Sequence, residues 1–216
     1  MKDRRFASQE WELRQVGGAR RGKEGGHDAD FMITHPRIGI QGEGQGVLEA
    51  VIDGLVSKKF LLPRTHPHSF FMLRKGRIFS RSGSYSSSTH IVKLKRSVHV
   101  AAHGYDNLAQ DSFDRIFGVF RTTEGKMRRI DIIVVPYIEK AFALLGWTGS
   151  SLLNRNMRQY CRERGLFLCN HCLLTIEPEP KLVPYETNPD AMAVLEEEQI
   201  FSLLGLPYIF PNHRNC

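Results

Sequence analysis

Asp28 and Asp30 stand at the head of an apolar run, Phe31-Met32-Ile33, and that placement limits what the chain can become. Residues two apart on a strand point to the same face. A strand that begins with two carboxylates on one face and runs on into apolar side chains is a poor core strand, since a buried carboxylate is costly unless paired or metal-bound. Shortly before the pair comes Gly17-Gly18-Ala19-Arg20-Arg21-Gly22-Lys23. A glycine-rich turn lets bare backbone N–H groups approach a phosphate, and its arginines add charge-assisted hydrogen bonds. A third carboxylate, Asp131, lies inside another strand-like run, Arg129-Ile130-Asp131-Ile132-Ile133. Hard divalent cations prefer oxygen ligands. Three strand carboxylates and a phosphate-cradling turn point to two-metal phosphoryl or nucleotidyl transfer. The plainer alternatives are a solvated Asp-x-Asp turn and an Asp131 paired with Arg128 or Arg129. Each explains part of the pattern.

Charge narrows the class of partner. The chain carries a formal net charge of +7, but residues 54–105 hold ten Lys and Arg and no Asp or Glu. The rest of the chain has 20 basic and 23 acidic residues. A local positive excess fits a polyanion, most simply nucleic acid. With 216 residues, 41% of them hydrophobic, the chain makes one large domain or two small ones. No apolar run reaches the length of a membrane span, and no secretory signal follows the charged start Met1-Lys2-Asp3-Arg4-Arg5. Four cysteines suggest a reducing compartment. Cys169-Asn170-His171-Cys172 hints at zinc, but no second Cys-x-x-Cys completes four ligands, so free thiols on a strand are expected.

Patterning predicts a short strand at 13–16, a strand carrying the aspartates to 34, and an amphipathic helix over 46–59. His35-Pro36 ends the aspartate strand. Strands are expected at 113–120 and 129–135, a helix at 137–145, a turn at 146–150 and a basic helix at 151–164 stopped by Gly165. Segments 166–174 and 181–185 are expected to pair as strands, and 195–204 to form a helix. Residues 63–110, with a serine-rich centre, read as a long basic insertion, with short strands near 70–73 and 90–92.

Taken together, these motifs resemble the X family of DNA polymerases, in the polymerase mu and terminal transferase branch. The resemblance rests on residues 17–36 (GGARRGKEGGHDADFMITHP), Asp131 in RRIDIIVVPY, the segment 141–150 (AFALLGWTGS) with Gly146-Trp147, and the closing residues 196–215. DSFDRIFGVF, residues 111–120, fits the same family's palm. It departs at Ala19, where the family has phenylalanine, and in the unmatched 63–110 insertion.

The resemblance implies an α+β fold. Residues 1–15 would be a non-matching N-terminal segment. Residues 16–136 would be a palm, a mixed sheet backed by helices, and residues 137–216 a small α+β thumb. With palm and thumb alone, the family's other domains would be missing. It implies that Asp28, Asp30 and Asp131 bind Mg²⁺ or Mn²⁺ and are catalytic. Gly17, Gly18, Arg21, Gly22, Lys23, His27, Gly146, Trp147 and Asn154 would bind the nucleotide, and Arg129 and Arg158 the DNA. Gly146 would leave room near the sugar 2′ position and admit ribonucleotides. The implied activity is addition of nucleotides to a DNA 3′-hydroxyl in the nucleus, by a monomer, during end joining of double-strand breaks, with end-joining proteins as further partners. The alternative is a truncated, weakly active or inactive form that acts as a DNA-binding or regulatory module.

Overall fold

Val, Ile and Phe dominate 114–121 and 127–134, and both segments are strands joined by a tight turn at Gly125, whose φ is +79°. In this computed structural model residues 10–26, 28–38, 44, 46–62, 72–74, 113–176, 183, 194 and 196–215 are described. The readings for residues 1–9, His27, most of 63–110, and the strands at 90–92 and 181–185 lie outside the described residues, apart from Met72–Arg74 and Val183.

The first lobe is a five-stranded sheet in the order β1-β2-β5-β4-β3. Its strands are β1 (Glu12–Gln15), β2 (Asp28–Thr34), β3 (Met72–Arg74), β4 (Asp114–Arg121) and β5 (Met127–Val134). Only β2 and β5 run parallel; the other pairs are antiparallel. Helix α1 (Gly17–Arg20) is a single turn between β1 and β2, and α2 (Val47–Ser57) follows β2.

Strand parity decides which face each residue serves. Ile130, Ile132 and Val134 turn toward α2 and pack with Leu48, Ile52 and Ile116. Met32 and Ile133 turn the other way and pack with Val16, Phe113, Val135 and Ala143. Asp28, Asp30 and Asp131 share parity with Met32 and Ile133, so they stand on that second face.

The second lobe begins with a 3₁₀ turn (Tyr137–Glu139) and α3 (Lys140–Thr148), then α4 (Ser151–Arg162), β6 (Leu166–Leu168), β7 (Leu173–Thr175) and α5 (Glu197–Leu203). Its core joins Ala141, Phe142, Leu145, Met157, Cys161, Leu173 and Phe201. A 3₁₀ turn (Pro211–His213) follows α5. The fold is α+β, as expected.

Two expectations about this lobe need correction. Gly146, Trp147 and Thr148 are not a turn; they are the last turn of α3, and the break falls at Gly149, whose φ is +72°. Ser150 then caps α4, its Oγ accepting from Leu153 N at 3.2 Å. The segment 166–174 is not one strand but part of a hairpin, and its expected partner at 181–185 lies, Val183 apart, outside the described residues. β6 folds back on β7, with Leu166↔Thr175 and Leu168↔Leu173 in register. Asn170 and His171 supply the hairpin turn that the apolar reading overlooked.

Candidate active site

Backbone geometry sets the carboxylates first. In the parallel pair β2–β5, Asp28 lies opposite Arg129 and Asp30 opposite Asp131. Four charged side chains thus form a square on one sheet face, three of them acidic. Hydrogen bonding between Asp30 and Asp131 lowers the pKa of the first and raises that of the second. Burial, then repulsion from Asp28, raises the Asp30 pKa. Burial lifts Asp131 to about 6, opposed by Arg129 and reinforced by the other two aspartates. Arg129 donates to Asp28 through Nη2, and its Nε stands 3.6 Å from Asp131 Oδ1. Asp131 Oδ1 is buried without a hydrogen-bond partner.

The three carboxylates are therefore not one convergent cluster. Asp30 and Asp131 abut, while Asp28 is turned to Arg129, and among the described residues no three acidic, His or Cys side chains gather as a metal-binding group. The donor set nonetheless fits divalent cations. It is all oxygen, it carries excess negative charge, and it holds an orphaned buried carboxylate oxygen. Arg129, expected on DNA, is the built-in counter-charge of this square.

The glycine turn is fastened to the same spot. Val16 N donates to Asp30 O at 2.9 Å, and Gly17 follows at φ +64°. A Cβ on Gly17 would lie 1.9 Å from Asp30 Oδ2, so only glycine lets the turn sit against that carboxylate. Gly18 is less constrained: a Cβ there would meet Lys23 Cδ at an ordinary 3.5 Å. Gly22 and Lys23 are exposed, and Lys23 N donates to Gly18 O at 3.0 Å, which closes the turn. Ala19 is exposed, so the missing aromatic ring leaves no gap in the core.

Gly17→Ala should therefore combine left-handed strain with a clash against Asp30. The expected loss is about 1–3 kcal/mol, read as a lower urea midpoint at unchanged m-value. A midpoint within error of the parent would mean that the turn is not seated on Asp30.

Arg21 does not project freely beside this turn. It donates to Thr148 O and, through Nε, to Asn215 Oδ1 at 3.0 Å, while Asn215 Nδ2 returns a bond to Arg21 O at 2.8 Å. Sequence reading passed over its neighbour Arg20, which reaches Thr148 Oγ1 at 2.6 Å and Glu197 Oε2 at 2.9 Å. Arg214 joins from the far side at 2.6 Å to Glu197 Oε1. A buried Glu at the start of α5 and two arginines 194 residues apart carry no local pattern that would have flagged them.

The end of α3 supplies the opposite wall. Trp147 is half-buried against the Val16–Met32–Phe113 cluster, and its Nε1 is buried without a partner. Asn154 Nδ2 donates to Gly146 O at 2.7 Å, and Arg158 Nη2 to Asn170 Oδ1 at 3.0 Å. A Cβ on Gly146 would lie 2.1 Å from Asn170 Oδ1. The missing side chain thus makes room for Asn170, a reason independent of any sugar. Asn154 and Arg158 hold α4 to α3 and to the β6–β7 turn. His27 lies outside the described residues.

Comparison with known proteins supplies the family. Residues 143–215 match the DNA polymerase beta thumb model. The chain is 34% identical to human DNA-directed DNA/RNA polymerase mu over 217 residues, covering 93% of this chain and 36% of that protein. Human DNA nucleotidylexotransferase is 34% identical over 205 residues, covering 93% of this chain and 35% of that protein, and the bovine one matches to the same extent. The chain is a relative of the X-family DNA polymerases, in the polymerase mu and terminal transferase branch. It spans about a third of the length of these relatives. Among the described residues no helix is long and apolar enough to cross a membrane.

Proposed function

We propose that this chain is the palm and thumb of a DNA nucleotidyltransferase, which joins a nucleotide to a DNA 3′-hydroxyl and releases pyrophosphate. One observation carries the proposal: the glycine turn is seated on Asp30, and Asp30 abuts Asp131 with an unpartnered carboxylate oxygen on the same sheet face. Family relationship supports it.

Asp28, Asp30 and Asp131 would hold Mg²⁺ or Mn²⁺, which when bound acidifies the 3′-hydroxyl and neutralises charge on the triphosphate. The chain's own groups do the rest. Asp30 and Asp131, whose pKa values burial and repulsion among the carboxylates raise, are held ionised once positive charge arrives beside them. Arg129 can leave Asp28, because its side chain is about half exposed and free to swing toward a DNA phosphate. Exposed Lys23 and the N–H groups of the glycine turn face incoming phosphate, with Arg21 holding the turn to the thumb. Trp147, packed on the palm core, fixes one wall beside the nucleotide base. The basic residues of 54–105 add phosphate affinity that falls with salt. The reading extends to a monomer in the nucleus, working with end-joining proteins at double-strand breaks.

The test is primer extension with labelled DNA, Mg²⁺ or Mn²⁺ and each of the eight nucleoside triphosphates, with and without a template strand. Extension is expected, with ribonucleotides used nearly as readily as deoxynucleotides. Binding of DNA without any extension would instead favour a regulatory DNA-binding module.

A further inference from the structure

Two cysteines close the β6–β7 hairpin, and the proposed reaction uses neither. Cys169 N donates to Cys172 O at 3.0 Å, so the pair continues the ladder beyond Leu168↔Leu173. Such paired positions hold their Cα atoms about 5.5 Å apart, inside the range that a disulfide spans. Their sulfurs are 3.8 Å apart and share a hydrogen bond. Bond formation would draw them together by roughly 1.8 Å. Both side chains lie in a small apolar cluster with Phe167 and Leu174, and the two residues are 5% and 6% exposed. Cys161 is 0% exposed, and burial pushes its thiol up to about 11. Within the pair, the hydrogen bond from Cys172 pulls Cys169 down to about 6 against burial, while Cys172 is raised. Of the two sulfurs, Cys169 is the one whose thiolate is favoured, so it is the attacking group.

The two residues between these cysteines fasten the hairpin to the rest of the protein. Asn170 fills the notch at Gly146 and accepts from Arg158. His171 Nδ1 meets Glu139 Oε2 at 2.7 Å, with its ring against Phe113 at 4.3 Å. Glu139 immediately precedes α3, and Gly146 and Trp147 end it.

The geometry points to Cys169 and Cys172 as a peroxide-oxidised dithiol whose disulfide pulls Asn170 out of the Gly146 notch and shifts the α3 end that carries Trp147. The chemistry balances. The Cys169 thiolate attacks one peroxide oxygen, breaks the O–O bond and becomes a sulfenic acid; the departing hydroxide takes a proton and leaves as water. Cys172 then attacks that sulfur, and the expelled hydroxide leaves as water with the Cys172 proton. Two thiols lose two electrons, and one peroxide becomes two waters. The effect on catalysis rests on the nucleotidyltransferase reading; the bond and the movement do not.

Three readouts separate these parts, using the full chain with Trp11→Phe so that Trp147 is its only indole. Peptide mapping after hydrogen peroxide should show a Cys169–Cys172 bridge, with Cys161 still free to alkylate after unfolding. Trp147 emission should shift on oxidation and return with dithiothreitol, and neither change should occur in Cys172→Ser. Nucleotide incorporation should fall reversibly by on the order of tenfold, the loss expected when a positioning wall moves by a fraction of an ångström. Free Cys169 and Cys172 after peroxide, or a bridge with unaltered Trp147 emission, would overturn the proposal. A bridge and an emission shift in a chain that incorporates nothing even when reduced would uphold the switch and sink the nucleotidyltransferase reading.

Discussion

Asp131→Asn is expected to abolish nucleotide incorporation and, in the presence of a chelator, to make the protein more stable. Both effects have one cause. Asp131 is nearly buried beside two other carboxylates, and its pKa is lifted from 3.8 to about 6 by burial and by those neighbours. The sign follows by linkage. Between those two values the folded protein binds more protons than the unfolded chain, so stability falls as pH rises through the window. Above about 6 the ionised group is a full liability, worth at most about 3 kcal/mol for a shift of this size. Asparagine keeps the shape, carries no charge, and its amide can donate to Asp30. Arg129 loses a weak partner at 3.6 Å, which trims the gain. The net expectation is about 1–3 kcal/mol at pH 7.5, or a midpoint rise of several degrees for a chain this long. Thermal melts at pH 7.5 and pH 4 check the account, because the gain should shrink at the lower pH, where the wild-type group is mostly protonated. A variant that is inactive but no more stable at either pH would mean that Asp131 is already compensated in the apo protein.

The strands, the α2 helix and the α+β class were legible because apolar residues recur at period two or near 3.6, and that periodicity is local. The carboxylate face was legible for the same reason: Asp28 and Asp30 share parity on one strand. What no single segment states is register. That Asp30 meets Asp131, and Asp28 meets Arg129, depends on how two strands about a hundred residues apart slide against each other, and a slip of one residue would have turned Asp131 to the α2 side. Sequence spacing therefore anticipated three carboxylates on one face but not the ion pair between Asp28 and Arg129. The Gly146–Ser150 segment misled for another reason. Its two glycines read as a turn, yet Gly146 is helical and is small because Asn170 occupies its side-chain space. Only the partner, 24 residues away, explains it.

Glu197→Ala is expected to be the most destabilising single substitution in the second lobe. Its carboxylate is 1% exposed and accepts from Arg214 Nη1 at 2.6 Å, Arg20 Nη2 at 2.9 Å and Tyr208 Oη at 3.0 Å. Burial alone would raise its pKa, but the bonds from Arg214 and Arg20 outweigh burial and hold it below its ordinary value. Removing the carboxylate deprives Arg214, whose side chain is 0% exposed, of its ion pair with Glu197, while its bonds to Ile209 O remain. Breaking a buried pair from one side costs about 3–5 kcal/mol, because an uncompensated charge stays behind. For a chain of this length that is roughly 10 °C in the thermal midpoint. Arg20→Met should cost far less, since that side chain is 22% exposed and leaves Glu197 its bond to Arg214. The depressed Glu197 value fixes the pH behaviour: the stability it contributes is present above the ordinary carboxylate range and is lost as pH falls through the folded value, so the gap between wild type and Glu197→Ala should narrow on acidification. The gap should persist in 1 M salt, because a buried pair is poorly screened. Arg20, beside Arg21, also ties the glycine turn to Thr148. Glu197→Ala should therefore depress nucleotide incorporation even at temperatures where the variant is folded, whereas a loss of under 1 kcal/mol with full incorporation would show that water, not this carboxylate, satisfies both arginines.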